Sequence, residues 1–286
     1  MNAFDFDSTA RRLPWAIPSV IVFRGPDAER YLNGQLTQDV RLLAAGGGCL
    51  PSCVTDAKGR LQFRVRVHRA PAGELWVSCD DAEPEALFAR LSRYLIADDA
   101  EAEDESSQWR MAHVTGTLPE GLPGRAVASN RLGLPGWDVW LPADGDAGAF
   151  EAVPWWPADE AEARRVAAGI PAWGAELTEG MLPPEAGLDR TDISYAKGCY
   201  IGQEVISRIK SAGKVNRKLV RLAVAADAAV AAGDRLVDAA GAEVGVVTSV
   251  SPVAGPEGRA LLGYLKRGAV PEGLRLSVGA PVRVVD

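Results

Sequence analysis

The sequence predicts an α+β protein that ends in a small β-barrel or sandwich, on three observations. Leu61, Phe63, Val65 and Val67 alternate with Gln62, Arg64, Arg66 and His68, the period of two of a strand with one apolar face. Leu87, Phe88, Leu91 and Leu95 recur at the spacing of a buried helical stripe. From Arg217 onward, short β-type runs at 218–224, 243–250, 259–264 and 281–285 are separated by glycine turns.

Taken in order, 19–23 reads as a strand stopped by Gly25. Pro26 then occupies a favoured first helical position, with Ala28, Tyr31, Leu32 and Leu36 as the apolar recurrence. Gly46-Gly47-Gly48 breaks the chain. Residues 49–55 join 61–68 through the turn Asp56-Ala-Lys-Gly59, and Pro71-Ala-Gly73 leads to a third strand at 74–78, which makes an antiparallel meander. A helix is expected over 84–96. The acidic run 98–105 reads as a solvated loop or edge. Further short strands are expected at 110–114, 125–128 and 137–141. Val153-Pro-Trp-Trp-Pro157 reads as a connection whose tryptophans cover a core edge. A helix over 159–168 ends at Gly169, with Pro171 beyond it.

Composition narrows the function. The chain has 286 residues, 47% hydrophobic and 24% charged, the balance of a globular protein rather than a disordered one. A formal net charge of −7 excludes a bulk basic surface for duplex DNA. His68 and His113 are the only histidines and belong to no metal-binding spacing, so zinc chemistry built on imidazoles is not expected. Cys49, Cys53, Cys79 and Cys199 form no C-x-x-C pair, which fits a reducing compartment. Residues 1–8 lack the pattern of a signal peptide, and no run of 18 or more apolar residues occurs, so a cytoplasmic protein without a membrane span is expected.

Chemistry concentrates in Tyr195-Ala-Lys-Gly-Cys-Tyr-Ile-Gly-Gln-Glu-Val-Ile-Ser-Arg-Ile-Lys210. Ile201, Val205, Ile206 and Ile209 predict a helix over 201–212, stopped by Gly213. Cys199 then sits at or just before the helix start, where unpaired backbone N–H groups and nearby Lys197 favour a thiolate. The alternative for Cys199 is inert burial, the reading that Cys53 and Cys79 receive from their strands. Gln203 and Glu204 fall in the first helical turn, where Glu204 either caps the helix or bonds a polar ligand. Arg208, Lys210, Lys214, Arg217, Lys218 and Arg221 form a basic strip without an acid, suited to solvent, an anionic ligand tail or an acidic partner.

Lys197-Gly-Cys-Tyr-Ile-Gly-Gln-Glu204 resembles the K-G-C-Y-x-G-Q-E signature of the YgfZ group, relatives of the aminomethyltransferase (T-protein) of glycine cleavage. Tyr31-Leu-Asn-Gly-Gln-Leu-Thr-Gln-Asp-Val40, Asp56-Ala-Lys-Gly-Arg60, Gly169-Ile-Pro171 and Leu182-Pro-Pro-Glu-Ala186 are similar to further elements of that group, in the same order. The resemblance implies two interlocked α+β units around a central channel plus a small C-terminal β-barrel, the aminomethyltransferase-like fold. Residues 1–45 with 145–214 would form the first, folate-binding unit. Residues 46–144 would form a ferredoxin-like antiparallel unit, and 215–286 the barrel.

The same resemblance implies tetrahydrofolate or a reduced derivative as the bound molecule, and iron–sulfur enzymes, tRNA-thiolating ones among them, as clients. Cys199 and Lys197 would be the working residues, with Tyr200, Gln203, Glu204, Arg208, Gln35, Arg60 and Arg165 toward the folate. An accessory role in assembling or repairing iron–sulfur clusters is expected rather than turnover. Alternatives are a folate-dependent aminomethyltransferase or demethylase and a non-catalytic module that docks a client or tRNA. The sequence departs from the aminomethyltransferases at Phe63 and Arg64, which stand where acids are expected, and at Ala167, which replaces a pteridine-contacting glutamate. Trp15 and Trp155 or Trp156 are candidates to flank the folate.

Overall fold

The computed structural model of the chain describes residues 10–43, 47–118, 120–122, 124–213 and 215–285. The amino-terminal stretch 1–8, Gly46 and Lys214 of the basic strip lie outside them. In chain order the elements are β1 (Arg11–Arg12), β2 (Ser19–Arg24), α1 (Ala28–Gln35), β3 (Leu50–Thr55), β4 (Leu61–Arg69), β5 (Leu75–Cys79), α2 (Pro84–Ser92) and β6 (Glu101–Asp104). There follow β7 (Trp109–Thr115), β8 (Arg125–Ser129), β9 (Gly136–Pro142), α3 (Ala158–Ala167) and α4 (Gln203–Ala212). The chain closes with β10 (Arg217–Val224), β11 (Arg235–Val237), β12 (Glu243–Gly255), β13 (Gly258–Lys266), β14 (Arg275–Leu276) and β15 (Arg283–Val285).

Three antiparallel sheets result, with strand orders β3-β4-β5-β2-β6, β1-β7-β9-β8 and β14-β11-β12-β13-β10-β15. β2 reads as an unbroken apolar run because both of its faces are buried. Ile21 and Phe23 face a core closed by Tyr31, Leu32, Leu87 and Leu91 of α1 and α2. Val20 and Val22 face Met111, Val127 and Trp140 of the four-stranded sheet. β2 pairs with β5 (Ile21 opposite Val77), so this sheet crosses the expected 45/46 boundary. The acidic run becomes the edge strand β6, with Glu103 opposite Val22. An edge of carboxylates repels further strand pairing.

The third sheet forms a half-barrel over its own core of Leu222, Leu236, Leu261 and Leu276. Its short strands β11 and β14, like β1, escape periodicity because two or three residues carry none. A second core ties the half-barrel to β3 and β4. There Cys53 and Leu61 meet Leu177, Met181, Leu188 and Tyr264.

Three helices differ from expectation at their ends. α1 begins after Asp27, one residue beyond Pro26, and α2 ends at Ser92 rather than 96. α4 begins at Gln203 because Gly202 has a left-handed φ of +89° and interrupts the apolar period that starts at Ile201. The reason is close packing. A Cβ on Gly202 would lie 2.6 Å from the Asp56 carbonyl oxygen and 2.8 Å from Gly59 Cα. The turn 56–60 and the start of α4 thus meet backbone to backbone, and Thr55 Oγ1 donates to the Ile201 carbonyl at 2.6 Å.

Gly202→Ala is therefore expected to destabilise the protein by at least about 2 kcal/mol, combining backbone strain with overpacking. Chemical denaturation checks this; an unchanged midpoint would show that the two turns separate without cost.

Candidate functional site

Alternation along β4 decides the site. Phe63, Val65 and Val67 pack into the helix-covered core, so Arg64 and Arg66 project from the opposite face. That face is a cavity wall, not a solvated surface. The cavity has a volume of about 500 Å3 and is bounded by Arg64 and Arg66 of β4, Asn130 after β8, Ile170 after α3, Arg190 and Thr191, and Lys218 and Arg221 of β10. Among the described residues that line it, none is an aspartate or glutamate.

The inner cations are balanced from behind. Arg64 donates to both carboxylate oxygens of Asp192, at 2.7 Å from Nε and 3.3 Å from Nη2. Burial alone would lower the pKa of this guanidinium, and Asp192 reverses that. Arg66 lies 3.9 Å from Asp80, which Arg131 also binds. Arg131 in turn grips Asp138 at 2.8 Å, and Asp138 accepts from or shares a proton with His113 Nδ1 at 2.8 Å. Burial pushes Asp138 up, but Arg131 and His113 outweigh it and hold the carboxyl well below the usual range. The outer cations differ. Arg190 and Lys218 are exposed, and Arg221 is half-buried, donating at 3.4 Å to the carbonyl of Ala167.

The cysteine segment runs beside α1. Thr37 Oγ1 donates to the Asp192 carbonyl at 2.6 Å, and Ser194 N–H donates to the Thr37 carbonyl at 3.0 Å. Lys197 is 6% exposed, and its Nζ donates to the carbonyls of Asn33 (2.6 Å), Leu36 (2.7 Å) and Gln38 (2.7 Å). Burial pulls its pKa down to about 7 while three acceptors occupy its protons. The ammonium is thus committed to the end of α1 and the residues after it. Cys199 lies four residues before α4 and is exposed, whereas Cys53 and Cys79 are buried. Cys49 is half-buried in the cavity wall, and burial pushes its thiol and that of Cys79 up to about 12.

The other sequence-derived candidates lie outside the cavity lining. Tyr200 is buried, and among the described residues its hydroxyl has no hydrogen-bond partner. Gln203 donates to the Gly198 carbonyl at 3.4 Å, and exposed Glu204 pairs with Arg208 at 2.6 Å along α4. Gln35 accepts from Arg90 at 3.1 Å. Arg60 donates to the Gly180 carbonyl at 3.0 Å and borders a separate hollow of about 830 Å3. Arg165 binds Glu162, Glu176 and Ser249, tying α3 to the half-barrel.

The candidate tryptophans lie away from the cavity lining. Trp155 and Trp15 face the guanidinium of Arg12, whose Cζ lies 3.5 Å and 5.9 Å from their ring centroids, and neither lines the cavity. Trp156 donates to Thr115 Oγ1 at 2.9 Å. The basic strip also divides. Lys210 lies over the Tyr195 ring, Arg217 pairs with Glu185 at 2.9 Å, and Lys218 and Arg221 enter the cavity. Motif reading missed Arg64, Arg66, Arg190 and Asp192 as a group; alternation along β4 signals that Arg64 and Arg66 share a face, and nothing local brings Arg190 and Asp192 to it.

These sheets and the half-barrel define an aminomethyltransferase-like fold. The solved glycine cleavage system aminomethyltransferase T from Bartonella henselae matches it with a TM-score of 0.82 at 19% identity, covering 97% of this chain and 85% of that one. Two curated relatives are named tRNA-modifying protein YgfZ. That of Cronobacter sakazakii (strain ATCC BAA-894) is 28% identical over 236 residues, spanning 73% of this chain and 69% of the relative. That of Klebsiella pneumoniae (strain 342) is 28% identical over 269 residues, spanning 80% and 78%. No family model matches the chain. The chain is thus similar over most of its length to proteins named YgfZ, the group its motifs resemble. No helix among the described residues is long and apolar enough to cross a membrane.

Replacing buried Lys197 with Met removes the donor shared by three carbonyls, one of them buried, and is expected to cost about 3 kcal/mol or more. Lys197→Arg, which retains donors, is expected to recover part of it. Equal denaturation midpoints for wild type and Lys197→Met would show that the tie is not structural.

Proposed function

We propose that the chain is a cytoplasmic reduced-folate-binding protein whose exposed Cys199 serves the assembly or repair of iron–sulfur clusters in client enzymes. The observation that carries this reading is the cavity, large enough for a small organic ligand and walled by cations without a lining carboxylate. Tetrahydrofolate suits such a cavity, because its glutamate carboxylates match arginine and lysine donors. Arg190, Lys218 and Arg221 would hold those carboxylates. This reading takes the cavity to be the central channel that the resemblance implies, between two interlocked units.

An accessory role follows from what the cavity offers a bound molecule. One-carbon transfer from an amine needs a group that moves a proton at the folate nitrogen. Asp192, a carboxylate behind the wall, is fully buried and bound by Arg64 and by the Thr191 hydroxyl at 2.5 Å. Arginine itself stays protonated and is a poor proton carrier. The exposed thiol offers different chemistry: it can ligate iron or a cluster sulfur, or form a mixed disulfide. Among the described residues no group of three or more metal-ligating side chains surrounds it. A cluster at Cys199 would therefore be cargo, shared with ligands of the client.

Titration of the pure protein with tetrahydrofolate, followed by tryptophan fluorescence and calorimetry, is expected to show saturable binding near micromolar Kd, about −8 kcal/mol. Absence of saturable binding overturns the folate reading. Cys199→Ala is expected to keep folding and folate affinity but to abolish support of iron–sulfur enzymes in cells. Full complementation by that variant would make Cys199 structural.

A further inference from the structure

Arg66 stands apart from the other cations of the cavity wall. Its side chain is 13% exposed and lines the cavity, yet among the described residues no atom accepts a hydrogen bond from its guanidinium. Its counter-charge, Asp80, lies at 3.9 Å, beyond hydrogen-bond reach, and is bound by Arg131 instead. The other cations are settled differently. Arg64 commits its fork to Asp192. Arg190, Lys218 and Arg221 have no carboxylate partner among the described residues, but Arg190 and Lys218 are exposed to solvent and Arg221 donates to the Ala167 carbonyl.

The position of Arg66 is a seam between two sheets. Cys49 N–H donates to the Ala128 carbonyl at 2.8 Å, which joins the start of β3 to β8, and Arg66 stands opposite Pro51 of β3. Ser129 and Asn130, which follow Ala128, line the cavity with Cys49 and Arg66, and among the described residues their side chains have no other hydrogen-bond partner. A guanidinium, a hydroxyl and an amide thus offer donors along one stretch of wall, and a guanidinium's parallel N–H pair matches two coplanar oxygens. Charge sets the valence. Arg64, Arg66 and Arg131 face Asp192, Asp80 and Asp138, one anion for each cation, so this stretch favours a monoanion over a phosphate dianion. We infer that Arg66, with Ser129 and Asn130, binds the carboxylate of a small monocarboxylic acid, distinct from the carboxylates of a folate tail. The folate reading gives those to Arg190, Lys218 and Arg221; the inference goes beyond that reading and does not require it.

Acetate is the probe, followed in proton–nitrogen correlation spectra of the full chain through the Asn130 amide and the Arg66 Nε–H. It is expected to shift both peaks saturably with a Kd of about 1 mM, the scale of one bidentate contact by a four-atom ligand. Acetamide and inorganic phosphate should leave them in place. Arg66→Lys keeps a cation beside Asp80 but not the fork, and is expected to weaken acetate about tenfold at the Asn130 peak. Asn130→Asp, at an exposed position, adds a carboxylate to the wall and should abolish acetate binding at the Arg66 peak with the fold intact. The acetate shift is expected to persist under saturating tetrahydrofolate. No saturable shift below about 50 mM acetate overturns the inference. An equal response to acetamide or phosphate, or wild-type affinity in a folded Asn130→Asp protein, also overturns it. So does displacement of acetate by tetrahydrofolate, because the folate then supplies the group at Arg66. Failure of tetrahydrofolate to bind overturns the folate reading and leaves the inference to stand or fall on the acetate titration and Asn130→Asp.

Discussion

A carboxylate removed entirely from water organises this molecule. Asp192 has a fully buried side chain, and its partner Arg64 sits 128 positions earlier on β4. Two parallel donors from one guanidinium fix direction as well as distance, which a lysine could not do. Stranding either charge in that environment costs on the order of 3–5 kcal/mol, so the pair stands or falls as a unit. It joins the cavity wall to the segment that leads into the cysteine signature. The same residue accepts from Thr37 through its backbone carbonyl, so α1, β4 and the signature converge on one position.

Much of the fold was legible locally. Period two marked β4, both-face burial explained the unbroken run of β2, and turn glycines separated the strands of the half-barrel. The site was less legible, for a physical reason. Alternation says that Arg64 and Arg66 share a face but not what lies opposite that face. Read alone, Arg64 looks like the loss of an acid. In the folded chain it is half of a buried pair whose acid, Asp192, has moved to a segment distant in sequence. Side chains near the signature, such as Gln35 and Glu204, have partners in Arg90 and Arg208 that motif matching could not foresee.

Gly202 shows the same limit from the backbone side. Ile201, Val205 and Ile209 keep helical spacing, so sequence extends the helix to include Ile201. The break arises because the turn at Gly59 presses against Gly202, a contact between elements far apart in the chain. Its consequence is chemical. With α4 starting at Gln203, Cys199 does not cap the helix, and Lys197 is occupied by three carbonyls. Neither a helix terminus nor a free neighbouring ammonium then bears on Cys199, and exposure becomes the property that separates it from the other cysteines.

Between the cavity and the thiol the chain is short and firmly anchored. Thr191 lines the cavity, Asp192 binds Arg64, Ser194 bonds Thr37, and Lys197 ties down to the end of α1 before Cys199 emerges. A ligand moves a structure only by binding two of its states unequally. Here those bonds tie the segment to β4 and to the end of α1. Folate occupancy would then act less by shifting the thiol than by stabilising the cavity walls, which carry the uncompensated charge of Arg190, Lys218 and Arg221. On that view the molecule would separate its two tasks along the nine residues from Thr191 to Cys199: the cavity would recognise an anion, and the thiol remains exposed for a partner.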